Sequence, residues 1–131
     1  MRPTVWTRLW LWVPPIVYMA LIFKLSSQSE PLPELTEHVW DKLLHTIEYA
    51  GLAILWFSAL AGEGLGLWGA AALTVLIVSA YGASDEWHQR FVPMRSADVY
   101  DWLTDTMAGA IGASVSVAVS TLSRRRRRLR R

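Results

Sequence analysis

The stretch LGLWGAAALTVLIVSAYGAS, residues Leu65 to Ser84, contains no ionisable side chain other than the Tyr81 phenol. A helix of this length on the surface of a soluble protein would carry a polar stripe facing water. Because no such stripe is present, the segment predicts a helix surrounded by apolar groups on every side, as in a lipid bilayer. A soluble four-helix bundle is disfavoured for the same reason.

Four segments in the chain approach the length of about 20 apolar residues that crosses a bilayer. They run from about Trp6 to Leu25, Leu43 to Leu60, Leu65 to Gly82 and Val99 to Leu122. Most of the tryptophans lie near the ends of these segments, where amphipathic rings collect at a membrane–water interface. We therefore predict an all-α fold, a bundle of four transmembrane helices. Residues 1–123 would form this domain and residues 124–131 a basic cytoplasmic tail.

The basic residues are distributed unevenly about the predicted spans. With four spans, both termini lie on one side, and that side carries nine basic residues: Arg2, Arg8, Arg124, Arg125, Arg126, Arg127, Arg128, Arg130 and Arg131. The other side carries four: Lys24, Lys42, Arg90 and Arg95. The positive-inside rule places the larger group, and hence both termini, in the cytoplasm. No small-x-small cleavage site follows the first span, so we expect it to be retained.

The tail SRRRRRLRR, from Ser123 onward, follows the last span directly. A basic segment in that position fixes topology and attracts anionic lipid. Nucleic-acid binding is the alternative reading of an arginine run, and the adjoining span disfavours it. The expected partner of the tail is therefore the membrane surface.

Polar residues follow helical spacing at one end of three predicted spans. Three sets each share a helical face: Asp41, His45 and Glu48; Asp85 and Gln89; Asp98, Asp101 and Asp105. Ionisable groups at membrane depth normally face the bundle interior or a wet cavity. Three helices that direct carboxylates inward therefore predict one shared cavity, open to the outer surface.

Three uses fit such a cavity. The carboxylates and a histidine could hold a divalent metal ion, with His45, Glu48, Asp85 and Asp101 as candidate ligands. Alternatively, His45 and a carboxylate could form an acid–base pair. The third use is a purely structural ion-pair network. Ser26 and Ser27 are candidate nucleophiles by position alone, whereas His88 and Arg90 are expected to be surface residues.

A weak internal repeat accompanies these patterns. A shift of 57 residues superimposes Ser27 on Ser84, Asp41 on Asp98 and Glu48 on Asp105. The shift suggests two helical hairpins related by a parallel repeat.

Two segments carry a family resemblance. DKLLHTIEYAGLAIL (residues 41–55) and YGASDEWHQRFVPMRSADVYDWLTDTMAGAIG (residues 81–112) closely resemble the signatures of the VanZ-like family. These are small bacterial membrane proteins named for a member associated with resistance to the glycopeptide teicoplanin. The matching positions are Asp41, Lys42, His45, Tyr49, Leu52, Asp85, Glu86, Gln89, Phe91, Pro93, Arg95, Asp101 and Gly112.

This sequence departs from the family pattern at two positions. Asp105 stands where the pattern usually has Asn. Ala108 stands where the pattern has its first Gly, and Gly109 follows it. The change to Asp105 adds a negative charge to the expected site. Neutral hydrogen bonding at that position therefore cannot be carried over from the family.

The resemblance implies a bacterial cytoplasmic membrane location and a role at the cell envelope, without supplying a reaction. Together with the helical faces it gives a set of expected site residues. The expected catalytic residues are His45, Glu48, Asp85, Glu86 and Asp101. The expected substrate-binding residues are Asp41, Lys42, Gln89, Arg95 and Asp105.

Three hypotheses follow for the function. In the first, the protein modifies or shields a lipid-linked envelope precursor and so weakens the effect of a lipophilic glycopeptide. If it is an enzyme, it would be a hydrolase or transferase. Alternatively, it moves a lipid or solute, with Glu48 and Asp105 carrying protons, which at this size would require an oligomer. The third hypothesis is a membrane sensor or assembly partner whose polar core is structural.

Overall fold

The computed structural model describes residues 3–29 and 38–130, and within the second range it describes side chains from residue 42 onward. Four helices are present: α1 (Val5–Ser26), α2 (His38–Gly62), α3 (Leu67–Gln89) and α4 (Val99–Leu129). All four are long and apolar enough to cross a membrane. The described part of the chain contains no strand. The predicted all-α bundle of four spans is therefore confirmed.

Two of the helices start at side-chain caps. The Thr4 hydroxyl accepts a hydrogen bond from the backbone N–H of Thr7, and the Asp98 carboxylate accepts one from the N–H of Tyr100. Each cap satisfies a backbone donor that has no partner within its helix. Asp98 therefore sets where α4 begins, directly beside the predicted polar cavity.

α3 and α4 extend furthest beyond their predicted C-terminal ends. α3 continues past Gly82 to Gln89 and buries Asp85, Glu86 and Gln89 inside the bundle. α4 continues through the arginine run to Leu129, because arginine is a good helix former and nothing in the run breaks the helix. The basic tail thus extends the last helix.

α4 forms the largest interfaces of the bundle, against α2 and α3. Glycines permit its close approach. A Cβ atom at Gly112 would lie 2.6 Å from the backbone oxygen of Ala50, and one at Gly109 would lie 2.7 Å from Val78. Small residues allow helices in lipid to gain packing contacts where water supplies no driving force. These contacts fix the position of α4 relative to both neighbours.

The core is narrow and the outer surface is apolar. Tyr49, Leu52 and Val78 are fully buried between the helices. Large apolar side chains such as Leu76 (67% exposed) and Val17 (60% exposed) face outward. A soluble protein rarely exposes apolar surface on this scale. The bundle is therefore suited to a lipid environment, as expected of a multi-pass membrane protein.

The helix ends gather into two chemically different regions. At the end where α1 and α3 finish and α2 and α4 start, side chains join the helices in several polar contacts; we call this the polar end. At the opposite end, Glu63 receives hydrogen bonds from Arg8 and from the indole of Trp12, each at 3.1 Å. The short turn at Glu63 therefore ties α2 to α1.

Candidate functional site

A buried histidine–carboxylate pair lies at the centre of the polar end. Nδ1 of His45 on α2 is 2.9 Å from Oδ1 of Asp105 on α4. His45 is 7% exposed and Asp105 is fully buried. The two residues lie 60 positions apart in the chain, and each lies more than one turn after the start of its helix. A carboxylate in this position orients an imidazole and determines which ring nitrogen carries a proton.

Aromatic and glycine neighbours position the pair. The ring of His45 stacks on Tyr49, with an interplanar angle of 2° and ring centroids 6.1 Å apart. Gly82 on α3 lies against Asp105, so that an added Cβ would be 3.1 Å from the Cβ and the Oδ2 of that residue. The absence of a side chain at Gly82 therefore leaves space for the Asp105 carboxylate.

A second buried carboxylate lies next to the pair, on α3. Oδ2 of Asp85 accepts hydrogen bonds from the Tyr49 hydroxyl at 3.2 Å and from the Gln89 amide at 3.4 Å. Asp85 is 3% exposed, and its Oδ1 has no hydrogen-bond partner among the described residues. Tyr49 therefore links the pair to Asp85, because its ring stacks on His45 and its hydroxyl donates to Asp85.

Glu86 adds a third buried carboxylate. Its Oε2 accepts a 2.8 Å hydrogen bond from the backbone N–H of Asp98. Its Oε1, like Oδ2 of Asp105, is buried and has no hydrogen-bond partner in the part of the chain that is described. Ligand atoms of His45, Glu86 and Asp105 lie within 4.8 Å of one another. These three residues therefore form a candidate divalent-metal site, and we call them the buried triad.

Basic residues lie toward the rim of the polar end. Nζ of Lys42 is 2.7 Å from Oδ1 of Asp101, which ties α2 to α4 one turn outside the buried triad. The backbone turn at Pro93 and Met94, where Met94 adopts a left-handed conformation (φ 63°), precedes Arg95. Nε of Arg95 donates to the backbone oxygen of Gln28 at 3.2 Å, linking this loop to the end of α1.

The structure distributes the predicted site residues over three positions. His45, Asp85, Glu86, Gln89 and Asp105 are buried together. Lys42, Asp101 and Arg95 line the rim, and Glu48 is half-buried and electrostatically close to His45, Asp85, Asp105 and Arg95. Of the four predicted metal ligands, only His45 belongs to the buried triad. The side chain of Asp41 lies outside the described residues.

One contact at the polar end was not anticipated. His88, expected at the surface, is half-buried, with Nε2 3.0 Å from the hydroxyl of Ser27 and its ring 4.4 Å from that of Phe23. The Ser27 hydroxyl also donates to the backbone oxygen of Phe23 at 2.6 Å. Neither residue carries a helical pattern that points to the other, because the contact depends on how α1 packs against α3.

The burial of this many carboxylates needs a physical explanation. Desolvating an ionised carboxylate costs several kcal/mol unless partners offset the cost. Three buried carboxylate oxygens here accept no hydrogen bond from the described residues: Asp85 Oδ1, Glu86 Oε1 and Asp105 Oδ2. Such an arrangement suits a site that binds a cation or transfers protons better than one that only packs helices.

Comparison with known proteins gives one result. A family model described as VanZ/LLP1 matches residues 5–120, which includes α1, α2, α3, most of α4 and every residue of the polar end. No curated protein and no solved structure matches the chain.

Proposed function

The chain belongs to the VanZ/LLP1 family, and from that premise we propose that it acts at the outer face of the cytoplasmic membrane on a lipid-linked component of the cell envelope. The observation that carries the proposal is the buried triad, with Asp85 beside it. Polar groups at one end of a membrane-spanning bundle would lie near the lipid head groups. The distribution of basic residues, nine against four, supports placing that end outside.

We assign the chemistry to a phosphate-bearing head group. A divalent ion held by His45, Glu86 and Asp105 would act as a Lewis acid on a phosphoryl oxygen. The donor set fits such an ion, because two of the three residues contribute a buried oxygen that accepts no hydrogen bond from the described residues. Imidazole nitrogen with two carboxylates favours a transition ion such as Zn²⁺ or Mn²⁺ over Ca²⁺.

The rim residues fit the same assignment. Lys42 and Arg95 place positive charge at the mouth of the site, where they would attract an anionic head group. Tyr49 and Gln89 hold Asp85 by hydrogen bonds. Asp85 would accept or donate a proton at the head group, and an ion held by the buried triad would supply the Lewis acidity. Hydrolysis or transfer of that group would alter a precursor that a lipophilic glycopeptide recognises.

The phenotype we propose is reduced susceptibility to teicoplanin, and near-isosteric variants test it. His45→Gln and Asp85→Asn preserve shape and some hydrogen bonding but remove the chemistry. We expect both to insert and fold at near-normal yield and to lose the effect on susceptibility. Glu63→Gln, at the opposite end, is the matched control and should retain it.

The measurement pairs thermal stability in detergent with a teicoplanin susceptibility assay in cells that express each variant. Stability and phenotype that fall in proportion would instead identify a structural polar core. A folded Asp85→Asn protein with full effect would remove Asp85 from the site.

A lipid-moving protein is the second candidate, because buried ionisable groups continue inward from the rim. His45 contacts Asp105, and Tyr49 contacts Asp85 one turn deeper along α2. Such groups within a membrane can carry protons. Purified protein in vesicles would then move protons or labelled lipid without changing a lipid-linked phosphate, whereas the enzyme would release product in detergent.

A further inference from the structure

A separate pocket opens between the ends of α1 and α3. Its volume is about 250 Å³, and it is lined by the rings of Phe23, Tyr81, Trp87, His88 and Phe91 together with Ser84 and Asp85. We call it the aromatic pocket. It adjoins the buried triad through Asp85 but contains none of the three triad residues.

Four of the rings that line the aromatic pocket contact one another in two pairs. Trp87 and Phe91 meet edge to face, with centroids 5.7 Å apart and an interplanar angle of 90°. The ring of Phe23 lies against that of His88, with centroids 4.4 Å apart and an interplanar angle of 31°. Trp87 is 63% exposed and Phe91 is 70% exposed, so one side of the pocket opens to the surroundings of the bundle.

The charge of the lining selects for a cation. Aromatic faces carry negative potential and attract an ammonium group within about 6 Å of the ring centroid. Asp85 is the carboxylate of the lining; the residue is 3% exposed, and its buried Oδ1 accepts no hydrogen bond from any residue that the structure describes. Among the described residues, neither Lys nor Arg lines the pocket. A compact metal ion would need several oxygen ligands, which this lining does not provide.

The position of the pocket selects among cations. Trp87 lies in the last turn of α3 and Phe91 follows the helix, where the apolar span meets the polar end. Tryptophan rings at the end of a span would lie at the level of lipid head groups. An alkylammonium group is the cation that such a surface supplies, because its carbon atoms pack on rings while its charge is offset by the carboxylate.

We propose that the aromatic pocket binds the ammonium group of a zwitterionic lipid head group. The inference rests on the proposed function for what then happens to the lipid, because a head group held at Asp85 would bring its phosphate toward the buried triad. Binding itself requires only the pocket.

The test measures lipid binding to the purified full chain in detergent, by native mass spectrometry. The probes are phosphatidylethanolamine, phosphatidylcholine and phosphatidylglycerol with identical acyl chains. We expect the two ammonium lipids to bind roughly tenfold more tightly than phosphatidylglycerol. Equal binding of all three would overturn the proposal, because the pocket would then hold only acyl chains.

Single substitutions identify the site. Trp87→Leu and Phe91→Leu alter exposed rings and should fold normally, and each should reduce the preference for ammonium lipids several-fold. Asp85→Asn should reduce it further. Trp68→Leu is the matched control, because Trp68 lies on the same helix at the opposite end and is 79% exposed. A preference unchanged in both Trp87→Leu and Phe91→Leu would also overturn the proposal.

Two further measurements separate this inference from the proposed function. His45→Gln leaves the aromatic pocket intact, so it should retain the lipid preference while losing the effect on teicoplanin susceptibility. If the preference is absent but His45→Gln still loses that effect, the pocket is wrong and the proposed function stands. If the preference is present but His45→Gln keeps full effect, the pocket stands and the proposed function is wrong. Tetramethylammonium should compete with the ammonium lipids for the aromatic pocket. Failure to compete would contradict the assigned chemistry.

Discussion

Gly82 and Asp105 approach so closely that any side chain at residue 82 would contact the carboxylate of residue 105. A Cβ atom built on Gly82 would lie 3.1 Å from Oδ2 of Asp105, one of the buried oxygens without a hydrogen-bond partner among the described residues. The open side of Asp105 therefore depends on a glycine on a neighbouring helix. This relationship joins the packing of α3 on α4 to the chemistry of the buried triad.

Gly82→Ala should disturb the site. Asp105 is fully buried and bonded to His45, so it cannot move aside without cost, and overpacking of this kind costs about 1–3 kcal/mol. We expect a lower melting temperature in detergent and a loss of the effect on teicoplanin susceptibility. Gly69→Ala, on the same helix, is the control, because a Cβ atom at residue 69 would meet nothing within 4 Å. Equal behaviour of the two variants would contradict the argument.

Gly112→Ala should destabilise the bundle more generally. The added Cβ would lie 2.6 Å from the backbone oxygen of Ala50, and backbone cannot rotate away as a flexible side chain can. α4 would have to separate from α2, at a cost of roughly 1–3 kcal/mol or more. Ala110→Val, two positions earlier on an exposed face of α4, serves as the control. Thermal unfolding in detergent measures both, and a Gly112→Ala protein as stable as the control would refute the close approach.

Asp105→Asn should weaken metal binding without dismantling the pair. An asparagine oxygen can still accept the hydrogen bond from His45, but the site loses one negative charge and one anionic ligand. We expect the dissociation constant for Zn²⁺ or Mn²⁺ to rise at least about tenfold. Isothermal titration calorimetry, or the electron paramagnetic resonance signal of free Mn²⁺, measures the dissociation constant.

Asp101→Asn is the matched comparison for the metal experiment. Asp101 pairs with Lys42 at the rim and is outside the buried triad, so its replacement should change affinity much less. If neither ion binds the unmodified protein, the metal assignment fails, and the His45–Asp105 pair is left as an acid–base pair.

The orientation of the bundle is open to direct measurement. A reporter fused after Arg131 should report the cytoplasm, because the end of the chain carries most of the basic charge. A reporter inserted near Pro33 should report the outside. The reverse pattern would move the polar end to the cytoplasmic face and contradict the proposed site of action.

The sequence alone was sufficient for the architecture. The apolar run from Leu65 to Ser84 disfavoured a soluble helix, because it has no polar stripe that could face water. The spacing of His45, Asp101 and Asp105 placed polar groups on inward faces, because the helical period fixes which residues share a side. The family followed from the motifs around Asp41 and Asp85, and residues 5–120 match its model.

Only the tertiary structure decided which polar groups meet. The helical period fixes a face on one helix but not its rotation or height relative to the next helix. Those depend on close contacts such as Gly112 on Ala50, which no spacing reveals. The structure therefore selected Glu86 and Asp105 as the partners of His45, where the sequence suggested Glu48, Asp85 and Asp101 as its fellow ligands. It likewise joined Ser27 to His88, because their contact exists only where α1 ends against α3.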